Sequence, residues 1–240
     1  VIKDLLGGPT PVDLTTVDPS PATFVLRPLI GAVGATSIVG AGGTGKSLLA
    51  LASAMTVGAG TDDWFPMLPL RSGPVFYVDW EADADTHAHR LKAIEAGAEQ
   101  KYPSDTIAYI EAREPLHLWS KALAHRIASA GAILVVIDSV MLARGGEAGV
   151  AETNTFYAAL RTLGVPSLLI DHQSRDALEK GKSTAFGSIV NENSARLRWA
   201  AKGDTGYLTL RSPKGNNFGK LPTLTLSMET KTSGDILTHA

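Results

Sequence analysis

An α/β domain is what the sequence predicts: a mostly parallel sheet covered by helices on both faces, closed at one edge by an antiparallel C-terminal hairpin. Three observations predict it. Short β-rich apolar runs alternate with helical segments between Thr36 and Asp171, the arrangement that buries parallel strands between two layers of helix. A glycine-rich turn, Gly40 to Gly45, joins the first of those runs to the first helix. Beyond Gly187 the period changes, and Tyr207 to Arg211 and Leu221 to Met228 alternate apolar and polar residues on either side of Pro213-Lys214-Gly215-Asn216-Asn217, as two antiparallel strands do.

The elements follow in order. Residues 1–24 carry Pro9, Pro11, Pro19 and Pro21 with little periodicity, so they are expected to form an arm or linker, and residues 25–240 the domain. Thr36 to Val39 is a strand, and Lys46 to Val57, rich in Ala and Leu, is a helix. Pro74 to Asp79 is the second strand, bounded by Ser72-Gly73, and Ala84 to Ala98 the helix after it. A helix around Leu118 to Ala130 leads into the third strand, Ile133 to Asp138, the most apolar in the chain. Residues 152–163 form a helix, Pro166 to Asp171 a fourth strand, and one more helix or strand runs through Trp199.

Composition narrows the function. With 44% hydrophobic and 19% charged residues the chain is globular. A net charge of −2 gives no overall basic signature, so any nucleic-acid contact must be local. No cysteine is present, which excludes disulfides and thiolate metal sites and suits a reducing compartment; a cytoplasmic location is expected. No apolar run reaches the ~20 residues of a membrane-spanning helix. The chain opens on Val1 instead of Met, which suggests a piece of a larger protein.

The chemistry starts at Gly40-Ala-Gly-Gly-Thr-Gly45-Lys46-Ser47, a GxxxxGK[ST] loop between a strand and a helix. In such a loop backbone N–H groups point at phosphate oxygens, the helix N-terminus adds partial positive charge, and the lysine reaches the outer phosphates. Gly40, Ala41, Gly42, Gly43, Thr44, Gly45, Lys46, Ser47 and Leu48 are the expected nucleotide contacts, with ATP and Mg²⁺ the implied ligands. Ser47 and Asp138, which ends the third strand, are the candidates for Mg²⁺. Hydrolysis further needs a group that orients or deprotonates water. Glu81, immediately past the second strand, is the leading candidate because ligands bind at the carboxyl ends of parallel strands; Asp79, two residues earlier, is the lesser one. His172 and Gln173 at the end of the fourth strand are candidates to sense a γ-phosphate.

Taken together these residues resemble RecA-type ATPases, and among them the RepA-like hexameric replicative helicases of plasmids and phages, relatives of DnaB. The resemblance rests on the loop at 40–47, the YVDWE glutamate, the VVIDS and LLIDHQS strands, Phe186-Gly187-Ser188 with Asn193 and Arg196, and Lys214-Gly215-Asn216-Asn217-Phe218-Gly219. It implies a RecA-like sheet with the His172 strand between the loop strand and the Asp138 strand, and the Glu81 strand beyond. It also implies ATP sites between the subunits of a ring, completed by positive charge from the neighbour. Arg196 and Lys214 fall on the positions that would supply it. The sequence departs from the pattern in having Asn216 where DnaB-type helicases carry a second arginine, which leaves Lys214, Arg196 or Arg211 as the finger. It departs again in having Arg175 or the later Lys180 where a lysine usually follows the strand-end histidine.

The same resemblance places two DNA-facing loops after the third and fourth strands, here Met141 to Ala151 with Arg144, and Ser174 to Ala185 with Arg175, Lys180 and Lys182. Their glycine and basic content suits tracking of phosphates on single-stranded DNA. A ring-forming helicase or translocase is therefore the expectation. The alternative is a RecA-like recombination-mediator or regulatory ATPase that assembles without unwinding. A small-molecule kinase fits less well, because no Arg-rich lid segment is evident.

Overall fold

A computed structural model gives the fold, and describes residues 12–18, 24–63, 65–99, 101–103, 105–146, 149–173, 194–216, 218, 220–233 and 236–239. Its centre is an eight-stranded sheet. In chain order its strands are β3 (Ala35–Gly40), β5 (Val75–Asp79), β6 (Ile107–Glu111), β7 (Leu134–Asp138), β8 (Ser167–His172), β9 (Leu197–Asp204), β10 (Tyr207–Gly215) and β11 (Leu224–Ser227). A short antiparallel sheet of β1 (Phe24–Arg27), β2 (Ile30–Gly31) and β4 (Leu68–Pro69) flanks it, and β12 (Thr230–Ser233) pairs with β13 (Ile236–His239). The helices are α1 (Lys46–Ala59), α2 (Ala84–Ala98), α3 (Ser120–Ser129), α4 (Val140–Arg144) and α5 (Val150–Thr162).

The spatial order is β11-β10-β9-β3-β8-β7-β5-β6. From β9 to β6 every neighbouring pair is parallel, and β10 and β11 turn antiparallel at the far edge. The expected α/β architecture is thus present, with β8 between β3 and β7 and with β5 beyond. Strands β5 and β7 are buried along their whole length, as strands covered on both faces must be. Two cores result. One packs α1 against Ile38, Tyr77, Val136, Ile170 and Trp199, and the other packs α3 and α5 against Phe76, Val78, Val135, Ile137 and Leu169.

Each crossing returns the chain to the same edge. The carboxyl ends of β3, β5, β7 and β8 lie side by side there, with Asp79 opposite Asp138 and Gly40 opposite His172. Strand β10 continues to Gly215 after a register shift between Arg211 and Lys214, so residues expected in the hairpin turn extend the strand. No helix among the described residues is long and apolar enough to cross a membrane.

Candidate active site

Strand β3 delivers the glycine loop to the carboxyl edge, and α1 starts on Lys46 with Gly45 as its N-cap at φ 86°. Gly43 has φ 73°. A left-handed backbone costs an L-residue about 1–2 kcal/mol, and a Cβ on Gly45 would also stand 2.8 Å from Met228 Cε. Gly40 is needed for a different reason: a Cβ there would lie 2.5 Å from the Ala201 carbonyl oxygen of β9. The loop lies across the first N–H groups of α1, the place where a helix presents unpaired donors and partial positive charge.

Lys46 is 4% exposed. Its Nζ donates to Ala41 O at 2.6 Å, Gly40 O at 3.1 Å and Thr44 Oγ1 at 3.4 Å. Burial lowers its pKa, against the upward pull of the Asp138, Glu81 and Asp171 carboxylates.

Asp138 closes β7 at 2% exposure. The Tyr77 hydroxyl donates to its Oδ2 at 2.8 Å, while Oδ1 is buried with no hydrogen-bond partner. Burial raises its pKa; hydrogen bonds from the Ser47 and Tyr77 hydroxyls pull it down, and the charges of Asp79 and Glu81 push it up again. The unpaired carboxylate oxygen and the nearby Ser47 hydroxyl are oxygen ligands of the kind a hard divalent cation takes. No group of three or more His, Cys, Asp or Glu side chains that could hold a metal occurs among the described residues, so phosphate oxygens and water would complete the coordination of Mg²⁺.

Glu81 leaves the end of β5 and meets two side chains, one just past the adjacent β7 and one on β8, the strand beyond it. Its Oε1 accepts a hydrogen bond from Ser139 Oγ, just past β7, and lies 2.8 Å from His172 Nε2 on β8. The His172 hydrogen bond lowers the pKa of Glu81, with burial opposing and Ser139 assisting. Reciprocally, the Glu81 hydrogen bond raises that of His172, with burial opposing. Gln173 comes directly after β8, its N–H donating to Gly40 O at 3.1 Å, and it lines a groove with Ala41, Thr44 and Arg211. Lys46, Ser47, Asp138, Glu81, His172 and Gln173 therefore converge on one edge.

Other expected residues stand elsewhere. Arg196 directly precedes β9 at the opposite end of the sheet, its N–H donating to Ala35 O, and its side chain is exposed beside Arg161 and Pro166. The backbone of Lys214 pairs with Arg198 at that same end. Arg144 requires a correction. Instead of sitting on a solvent-facing loop it ends α4 at 3% exposure, with Nη1 donating to Thr153 Oγ1 at 3.3 Å. The apolar Val140 and Ala143 pull the turn after β7 into a helix that packs inward, and a buried guanidinium cannot track DNA. Arg175, Lys180 and Lys182, like Phe186, Gly187, Ser188 and Asn193, lie outside the described residues.

Tyr77, Ser139 and His87 join the site without having been expected from the sequence. Ser139 had a signal in its place directly after Asp138, and Tyr77 in its alternation with Asp79. His87, which meets Asp79 Oδ2 at 2.6 Å, had none, because eight residues and a change of element separate the pair.

A parallel sheet with a glycine loop, a buried lysine and a strand-end aspartate at its carboxyl edge defines a P-loop nucleotide-binding α/β domain. The chain belongs to a family of P-loop ATPases: a family model described as an AAA domain matches residues 6–177, from the N-terminal arm past Gln173. Among curated proteins no relative matches it.

Proposed function

We propose that this chain is the motor domain of a ring-forming replicative DNA helicase or single-stranded DNA translocase, hydrolysing ATP at sites shared between neighbouring subunits. The observation that carries this reading is the separation of the two halves of the machinery. The loop, Asp138 and Glu81 stand at the carboxyl edge, whereas Arg196 stands at the register of Ala35, five strand residues from Gly40. That is about 16 Å at ~3.3 Å per residue. A cation there serves the nucleotide of the next subunit and not its own. Lys214 sits at the same end by its pairing with Arg198.

Within one site the roles divide. Loop amides and Lys46 would hold the phosphates, while Ser47 and Asp138 would hold Mg²⁺, whose charge would offset that of the phosphates. Glu81 takes the proton of the attacking water, and the neighbour's arginine would stabilise the charge that develops on the γ-phosphate. His172, bonded to Glu81, and Gln173, bonded to the loop, join the γ-phosphate position to β8 and to the segment after it, where Arg175, Lys180 and Lys182 would meet single-stranded DNA.

The decisive experiment mixes two inactive variants, Lys46→Ala and Arg196→Ala. Shared sites regain part of the DNA-stimulated turnover in mixed rings, because some interfaces then pair an intact loop with an intact arginine. No regain, together with a strict monomer by light scattering in the presence of an ATP analogue and DNA, overturns the reading. Withdrawal of Arg144 favours the second reading, a mediator that assembles without unwinding, since residues 140–146 then present no exposed cation. On a forked duplex a mediator hydrolyses ATP and releases no strand.

A further inference from the structure

Asp79 is the last residue of β5 and is 1% exposed, yet its carboxylate is among the most heavily engaged groups near the site. Oδ1 accepts the backbone N–H of Glu81 at 2.7 Å and of Ala82 at 3.2 Å. Oδ2 lies 2.6 Å from His87 Nε2 and accepts the Tyr109 hydroxyl at 3.3 Å. His87 stands in the first turn of α2 at 5% exposure, its ring 4.7 Å from Tyr77 and 5.2 Å from Tyr109. Tyr77 in turn holds Asp138 Oδ2. One side of the Asp79 carboxylate is thus pinned by two side chains, and the other pins the backbone on which Glu81 is mounted.

A carboxylate that merely ends a strand needs only its lone pairs satisfied. This one grips the amide of the residue that must stand within hydrogen-bond reach of the attacking water, where an error of ~1 Å costs on the order of 100-fold in rate. Trp80 N donates to Asp138 O at 2.6 Å and ties the same turn to the metal-binding strand; Asp79 alone of these anchors holds the amide of Glu81 itself. We propose that Asp79, clamped by His87 and Tyr109, is a positioning residue for hydrolysis: it fixes the backbone at Glu81 and so sets where the Glu81 carboxylate stands relative to the nucleotide. This rests on the reading of Glu81 as the base.

The test is a double-mutant comparison of Asp79→Asn and Glu81→Gln by single-turnover ATP hydrolysis, with the affinity for a non-hydrolysable analogue measured alongside. Expected is at least a tenfold fall in turnover for Asp79→Asn, analogue affinity within about twofold of wild type, and no further fall when Asp79→Asn is added to Glu81→Gln. A residue acting only through Glu81 has nothing left to position once that carboxylate is gone. Equal losses in both backgrounds, or a loss of affinity as large as the loss of turnover, make Asp79 a structural residue and overturn the proposal. Full activity in Asp79→Asn overturns it too.

Wild-type turnover in Glu81→Gln is a different failure: it removes the base assignment underneath. Should Asp79→Asn not fold, His87→Gln and His87→Phe give the same answer. Glutamine keeps a donor for Oδ2 and retains most of the turnover, whereas phenylalanine loses it without weakening analogue binding. Equal activity of the two overturns the clamp.

Discussion

Lys46 places its ammonium on the carbonyls of its own loop, at Gly40 and Ala41, while Glu81 is held from outside by Ser139 and His172. The two variants should fail differently. Lys46→Ala removes the charge that meets the phosphates, so the Tm rise given by an ATP analogue, about 2.7 kcal/mol of added stability at a hundred times Kd, should vanish in a thermal-shift titration. Glu81→Gln should keep that rise and lose turnover by about 10²–10⁴-fold. The Glu81–His172 pair also has a signed pH dependence. Glu81 lies below its ordinary 4.5, so its share of stability is present above that value and lost as pH falls through the lowered one. His172 lies above its ordinary 6.5, so its share is complete below 6.5 and lost as pH rises through the raised value. The Tm difference between wild type and His172→Ala is therefore expected to be largest between pH 4.5 and 6.5 and to shrink above it. With both side chains about one-third exposed, at 30% and 34%, solvent keeps the effect small. A difference constant from pH 5 to 9 would remove the ionic character of the pair. At this scale Asp138 and Glu81 were legible because a carboxylate at the carboxyl end of an apolar strand is costly to bury unless a cation or a donor meets it there. The clamp of His87 on Asp79 exists only after α2 folds back.

Elements were legible where period and length agreed. The helix at Lys46–Ala59 and the strands ending at Asp79, Asp138 and His172 lie within about two residues of their expected bounds. Strand β6, Ile107–Glu111, escaped because its residues are half-buried or exposed at the sheet edge and its apolar run is short. The β1–β2–β4 sheet escaped because two- to four-residue strands carry no period at all. The inward turn of α4 was hidden for another reason: the arginine and paired glycines after it read as a mobile basic loop, and only packing shows the guanidinium under α5. Salt titrations of DNA affinity can separate these. Arg144→Met should leave the slope unchanged, while Lys182→Ala should lower it by about 0.7 for one lost single-strand phosphate contact. A lower slope in Arg144→Met would return that residue to the DNA surface. The loop-to-helix junction can be probed by Gly45→Ala, where a φ of 86° and Met228 Cε in the path of a Cβ predict a loss of about 1–2 kcal/mol from the backbone alone. That corresponds to a Tm lower by several degrees in calorimetry, and an unchanged Tm would contradict the geometry.

The whole molecule divides its proposed chemistry between the two ends of one sheet. Arg196→Ala should fold and bind the analogue normally, yet lose about 10³–10⁵-fold in turnover if it serves the neighbour as a finger does. Normal turnover at concentrations where the protein assembles would take Arg196 out of the site. A ring is implied only through resemblance, since a single chain shows where its cations stand and not which partner meets them.

Strand β9 gives that division a mechanical meaning. At one end Ala201 touches Gly40, and Gly203 leaves no room beside Thr44; at the other end stands Arg196. A strand hydrogen-bonded along β3 does not stretch, so under the proposed function a shift of the phosphate loop at one end would be passed to the arginine at the other. In a ring, β9 would act as a push-rod between consecutive sites, and the timing of one subunit's hydrolysis would be set by the state of its neighbour's loop.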